Sequence, residues 1–418
     1  MSLLSFLPLM IVLTGGYLLI KLRFFYILHP IRTLKFTFKG QKSRESITSL
    51  ILALAGTLGV GNIVGVAWGI YRGGAGSVFW LAVSAVFSSA IKYAEVTLSA
   101  KHRTGFGIIS VIDGGKQPNV LSKSYAALAV ALSFAMGSLL QADAVASGAS
   151  SFKLRVIIIP AVFVFVASVC LLGKERIKKA VAIVIPLATL LYTGMCLLVI
   201  FREYQRLPTV IYEIVSSAFN LSAVSGGVSA FIISSGIKEG FARGLLSNEA
   251  GAGTSSFSHT SHAQDDGSDF CNDENAKRAG IYGIFEVVFD TLLLCPLTAL
   301  VILLADYDKN FKGSLSEISD IFERYIGRGA PLMLLLAVVA FAASTTLCWY
   351  YYGKVSLSYL TGKRYASLFS TLFILSFAAG LIFRISILLY INDIILFILS
   401  AITLYTVIKN RASLSKPE

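Results

Sequence analysis

The sequence predicts an all-α polytopic membrane protein of about eleven transmembrane helices, a solitary first helix followed by two inverted five-helix repeats. Three observations carry that reading. The 418 residues are 56% hydrophobic and only 14% charged, with a mean hydropathy of +0.75, whereas soluble domains carry about a quarter charged residues. The basic residues behind the net charge of +13 cluster in short loops between apolar segments, a positive-inside pattern that needs no nucleic acid. Two apolar segments at corresponding places are interrupted by glycine, and such pairs in inverted halves mark the midplane binding site of a transporter.

The elements follow in order. Ser5 to Ile20 forms the first span; it lacks a basic leader and a small-residue cleavage site, so it is not read as a signal peptide. A basic loop follows, with Lys21, Arg23, Arg32, Lys35, Lys39, Lys42 and Arg44. It places the loop in the cytoplasm and the N-terminus outside. The second span, from Ile47 to Tyr71, is rich in glycine. Further spans are expected at Ser77–Ala100, Lys123–Ser150, Val156–Leu172 and Ala180–Phe201, then an amphipathic stretch to Ser225. The seventh apolar region, Gly226–His262, is too long and too charged for one straight span. Beyond an acidic loop, Asp265 to Glu274, come Ala279–Ala305, Pro331–Tyr359, Tyr365–Phe383 and Ile387–Ile408. The divisions are then 1–46 (extra helix and basic loop), 47–225 (first repeat and amphipathic stretch), 226–408 (second, inverted repeat) and 409–418 (cytoplasmic tail). The second and seventh spans each open a run of about five, an odd number, so the runs point in opposite directions.

The second span contains Gly56-Thr57-Leu58-Gly59-Val60-Gly61-Asn62-Ile63-Val64-Gly65. Glycine is a poor helix former, and backbone that leaves a helix in a membrane must be buried in protein or line a cavity. A broken helix whose freed N–H and C=O groups face a ligand is expected. Gly65 and Gly69 fit a close helix contact equally well. The seventh region reads Lys238 to Gly253, with Arg243 and Glu249 inside it. Intramembrane charges cost free energy unless paired, so these two are expected to meet each other or polar backbone, as a structural pair rather than a gate. Ser247, Asn248, Gly251 and Gly253 are small and neutral, suited to a zwitterion or a partly dehydrated sodium ion.

These two stretches resemble the signatures of the alanine/glycine:cation symporter family, within the amino acid–polyamine–organocation superfamily. So do Arg23-Phe24, Lys92-Tyr93-Ala94-Glu95, Asp290-Thr291, Ser344-Thr345, Trp349, Tyr351, Tyr352 and Gly353. The likeness runs in order along nearly the whole chain. It implies a fold of the bacterial leucine transporter type and sodium- or proton-driven uptake of a small amino acid. It implies that the substrate carboxylate sits on N–H groups near Val60 and Gly61, as suits an anion, and the ammonium near Thr57, Ser247 and Asn248. Gly59, Asn62 and Gly251 complete that set, and Gln141 is a substrate contact or an interhelical hydrogen bond. The sodium ion, as coupling ion and without any other cofactor, is implied at the carbonyls of Ala55 and Leu58 with the hydroxyls of Ser344 and Thr345. Such oxygen-only ligation suits a hard cation, although mid-helix hydroxyls also bond the carbonyl one turn back.

Several positions depart from the family pattern, which has threonine at Val60, asparagine at Ser138 and Asp143, and leucine then Ser-Ala-Pro where Ala252 and Thr254-Ser255-Ser256 stand. Asp143 is expected to bind a proton or the substrate ammonium, or to pair with a nearby arginine or lysine. A proton-coupled transporter, or an exchanger of a different amino acid or small amine, is therefore the alternative function.

Other classes find no support. There is no selectivity-filter motif, HExxH, GxSxG or nucleotide-binding P-loop, so a channel, an enzyme and an ATP-driven pump are all disfavoured. The five cysteines form no CxxC pair, which argues against zinc and a disulfide framework. Glu286 and Asp290 read as network residues between helices, and His259 and His262 as solvated or hydrogen-bonded. The expected partners are a small amino acid, sodium or a proton, and the lipid bilayer, with no nucleic acid; a monomer is compatible with all of this. The short loops and the resemblance favour a bacterial inner membrane.

Overall fold

The computed structural model describes residues 3–33, 44–102, 104–149, 152–219, 235–260, 273–306, 311–383 and 387–415. Among these there is no strand. In chain order the main helices are α1 (Leu7–Lys21), α2 (Arg44–Thr57), α3 (Val64–Gly73), α4 (Gly76–Ala100), α5 (Val120–Gly148), α6 (Phe152–Leu172), α7 (Lys174–Arg202) and α8 (Leu207–Ala218). They continue with α9 (Ser235–Asn248), α10 (Ser255–His259), α11 (Asp273–Leu304), α12 (Leu315–Ile326), α13 (Ala330–Thr361), α14 (Ala366–Ile382) and α15 (Leu388–Lys409).

Seven described helices are long and apolar enough to cross a membrane, or eight with α2 and α3 as one span bent by 53°. The shorter apolar helices α1 and α14 stand at the first and tenth expected spans. The seventh expected region is short, polar and broken between α9 and α10. The loop 34–43, Arg103, the start of the expected second repeat at 226–234, His262 and the acidic run 265–272 lie outside the described residues.

Helix α4 is the hub. An added Cβ at Gly15 of α1 would fall 2.6 Å from Phe87 Cβ, at Gly240 of α9 2.6 Å from the Ser77 carbonyl oxygen, and at Gly280 of α11 2.8 Å from the Tyr93 ring. Three helices thus reach α4 through glycine, the close approach that lets helices associate in lipid. At its cytoplasm-facing end by the expected topology, Lys101 pairs with Asp273 at 2.7 Å. Burial holds the neighbouring His102 imidazole below its usual pKa, with Asp113 opposing the shift.

Three features escape the pattern of apolar residues. α5 and α11 each contain a π-helical turn, Ser133–Leu139 and Val288–Leu294; such turns free backbone groups and gather at functional sites. α12 is an amphipathic helix between two spans, started by a capping box in which Ser314 and Glu317 bond each other's backbone N–H. That Ser-x-x-Glu signal is visible in the sequence.

Candidate functional site

The α2 ladder stops because glycine and polar residues replace good helix formers. Gly59 is extended, a 3-10 turn covers Val60–Asn62, and α3 starts at Val64. Gln141 reaches this turn from α5. Its Oε1 accepts from Val60 N at 3.4 Å, and its Nε2 donates to Met136 O, inside the π turn, at 3.2 Å. From α13, Thr345 Oγ1 lies 3.0 Å from Ala55 O and 3.3 Å from Leu58 O. Ser344 beside it is buried. A Cβ on Gly59 would sit 2.9 Å from Thr345 Oγ1 and 3.4 Å from Gln141 Nε2, so glycine is what lets α13 and α5 close on the turn. Two carbonyls and a hydroxyl converging without a charge form an oxygen set of the kind a hard monovalent cation accepts.

The second break begins at Glu249, which takes a left-handed φ of 54°. Gly61 of the first break faces the Leu246 carbonyl and Ser247, 3.7 and 3.9 Å from a Cβ built on it. The first break therefore rests against the last turn of α9, just before the second. Between them lies a buried network centred on Asp290. Asn62 Nδ2 donates to Asp290 Oδ1 at 2.5 Å, Thr291 Oγ1 donates to Asp290 Oδ2 at 2.8 Å, and the Ser247 hydroxyl meets Oδ2 as well. Ser247 Oγ also lies 2.8 Å from Asn62 Oδ1, and Asn248 Nδ2 donates to Thr291 Oγ1 at 3.0 Å. The sequence marks Asp290 only as a network residue; its partners Asn62 and Ser247 come from two other stretches of chain, and no local spacing announces them.

Not every expected residue turns to this centre. The Thr57 hydroxyl bonds back to Leu54 O at 3.1 Å on its own helix. Gly251 N donates to Glu95 Oε2 on α4. Ser138 faces α14, where its hydroxyl meets Ser376 Oγ at 2.7 Å. Asp143 lines a cavity of 540 Å³ with Val60, Val64, Leu140, Arg155 and Lys312, a volume within the range of small-molecule sites. That cavity reaches the first break at Val60 and is also lined by Leu315 and Ser316 at the start of α12.

The expected meeting of Arg243 and Glu249 is overturned. Arg243 NH2 pairs with Asp393 Oδ2 of α15 at 2.5 Å, and its Nε lies 3.6 Å from Glu239, one turn earlier on the same helix face. Glu249, beyond the helix end, accepts instead from the Thr254 hydroxyl. His259 takes the hydrogen-bonded of its two expected states, buried and 2.5 Å from Glu286. Among the described residues no group of histidine, cysteine and carboxylates is placed to hold a metal ion.

The sequence model of the sodium:alanine symporter family matches residues 1–413. The chain is 31% identical to the sodium/alanine symporter AgcS of Methanococcus maripaludis over 88% of its own length and 84% of that protein's. It is 29% identical to an uncharacterized transporter of Haemophilus influenzae, covering 93% and 87%. With the probable sodium/glutamine symporter GlnT of Bacillus subtilis it shares 28% identity, covering 78% and 68%.

Proposed function

The chain belongs to the sodium:alanine symporter family, a family of multi-pass membrane transporters and not of enzymes, and on that premise we propose that it carries a small neutral amino acid, alanine or glycine in kind, with sodium. Two inverted repeats, 47–225 and 226–408, together with the N-terminal helix make about eleven spans that work by alternating access. The N-terminus is extracytoplasmic, the C-terminus cytoplasmic, and the membrane a bacterial inner membrane. Sodium is held by the Ala55 and Leu58 carbonyls with Ser344 and Thr345. The substrate lies along Gly59, Val60, Gly61 and Asn62, against Gln141 and Ser247–Asn248; Thr57 and Gly251 support the backbone there.

The observation that carries this reading is the Thr345 hydroxyl on both Ala55 O and Leu58 O, at 3.0 and 3.3 Å, beside a helix bent by 53°. The test is uptake of radiolabelled alanine and glycine into proteoliposomes under an inward sodium gradient, a proton gradient, or neither. Accumulation under sodium alone supports the proposal; accumulation under a proton gradient alone overturns it. That second result would favour the alternative, proton-coupled transport or exchange of a different amino acid or amine. Asp143 on the wall of the cavity that touches Val60 is the observation behind it.

A further inference from the structure

Helix α9 ends at Asn248; Glu249 N still bonds Leu245 O, and beyond it the chain turns, with Ala250 N on Asn248 Oδ1 and Ala252 N on Glu249 O. Gly251 and Gly253 have φ of 88° and 82°, the left-handed region that glycine enters without strain. Their N–H groups converge on one atom, Glu95 Oε2, at 2.9 and 3.1 Å. Nearby N–H groups aimed at one point make a nest for an anion. Here the anion is a carboxylate of the chain itself, fully buried on α4.

Lys92, one turn earlier on α4, holds the two ends of the same loop. Its Nζ donates to Asn248 O at 2.8 Å and to the Ser255 hydroxyl. It lies 3.8 Å from Glu95 Oε1 and 3.5 Å from Glu286 Oε2, while Glu286 Oε1 meets His259. Every ionic group in this clasp is buried, in the one setting where charge-assisted hydrogen bonds are strongest and a missing partner costs most.

We infer that the second break is an internal carboxylate-binding nest whose ligand is Glu95, and that Glu95 and Lys92 are positioning residues which fix Ser247 and Asn248 against Asn62 and Asp290. While Glu95 fills the nest, the carboxylate of an incoming ligand is left with the N–H groups of the first break. The nest itself does not depend on which solute or ion is carried; the transport consequence rests on the function proposed above.

A tethered carboxylate can be exchanged for a free one. Glu95→Ala empties the nest beside Lys92. The first readout is the unfolding temperature of the purified protein, with sodium acetate or sodium chloride at equal ionic strength. Acetate at about 50 mM is expected to raise the unfolding temperature of Glu95→Ala by several degrees through mass action, while leaving wild type unmoved. Equal effects of acetate and chloride on Glu95→Ala would overturn the inference. Should Glu95→Ala not be recovered folded, Lys92→Met is compared with Lys92→Met/Glu95→Gln. The double variant is expected to be the more stable, because it removes the carboxylate left without its ammonium; a double variant no more stable than Lys92→Met overturns the clasp.

The second readout is uptake. The apparent KM of Glu95→Ala is expected to rise about tenfold and to recover with acetate, whereas loss of folded protein would lower the maximal rate alone. If acetate stabilises Glu95→Ala while neither wild type nor variant moves alanine or glycine, the nest stands and the substrate proposal fails.

Discussion

At the first break the freed backbone groups meet neutral partners, the Gln141 amide at Val60 N and the Thr345 hydroxyl at the Ala55 and Leu58 carbonyls. At the second break they meet formal charges, Glu95 at the Gly251 and Gly253 N–H groups and Lys92 at Asn248 O. The neutral bonds are worth about 0.5–1.5 kcal/mol each, and bonds to charged groups about 1.5–3 kcal/mol. A neutral hydroxyl can give up its carbonyls to a cation and take them back at small cost. A buried ion pair cannot be parted so readily. Two breaks at corresponding places therefore need not play the same part. On the function proposed above, the first suits ligand exchange and the second a fixed frame.

The largest effect expected from breaking this contrast comes from Lys92→Met. It leaves Glu95 and Glu286 buried without their ammonium, which costs about 3–5 kcal/mol, and it should show as a fall in unfolding temperature and yield. Next is Asp290→Asn. An amide in place of the carboxylate puts an NH2 group against the donors that now face either oxygen, and the loss expected is about 1–3 kcal/mol. Unfolding of the purified variant measures it, and uptake at equal folded protein should fall more steeply than stability does. Gly59→Ala comes third. Its new Cβ, 2.9 Å from Thr345 Oγ1, forces the hydroxyl away from its carbonyls; about 1 kcal/mol is at stake, and a few-fold weaker response to sodium is the readout. The smallest change in stability belongs to Asp143→Asn on the cavity wall, about 0.5 kcal/mol or less. Its effect is expected in substrate range or in the pH dependence of uptake, and identity with wild type in both would leave Asp143 without a part in transport.

Much of this architecture is legible in the sequence. Outside the seventh region, whose start lies beyond the described residues, each expected apolar segment coincides with helix whose ends differ by no more than six residues, and glycine with Thr57 and Asn62 marks the first break. What stays hidden depends on distance along the chain. Asp290 lies 228 residues from Asn62, and Arg243 lies 150 from Asp393, so neither partnership has a spacing to read. The π turns around Ser133 and Val288 are a matter of backbone hydrogen bonding that composition does not encode. Glu249 misleads because Arg243 is the nearest opposite charge in sequence, whereas the left-handed backbone at Glu249 carries it off the Arg243 face. α12 escapes although Ser314 and Glu317 announce it, because a search for apolar spans passes over a helix with one polar face.

The most direct test of the central claim, that the first break exchanges a cation, is the sodium dependence of alanine uptake by wild type and by Ser344→Ala/Thr345→Ala in proteoliposomes. Each lost neutral hydrogen bond costs about 1 kcal/mol, so the double variant should remain folded. Wild type is expected to accumulate alanine in proportion to the sodium gradient, and the folded double variant to respond to sodium no longer. An unchanged sodium response in the variant would contradict the claim.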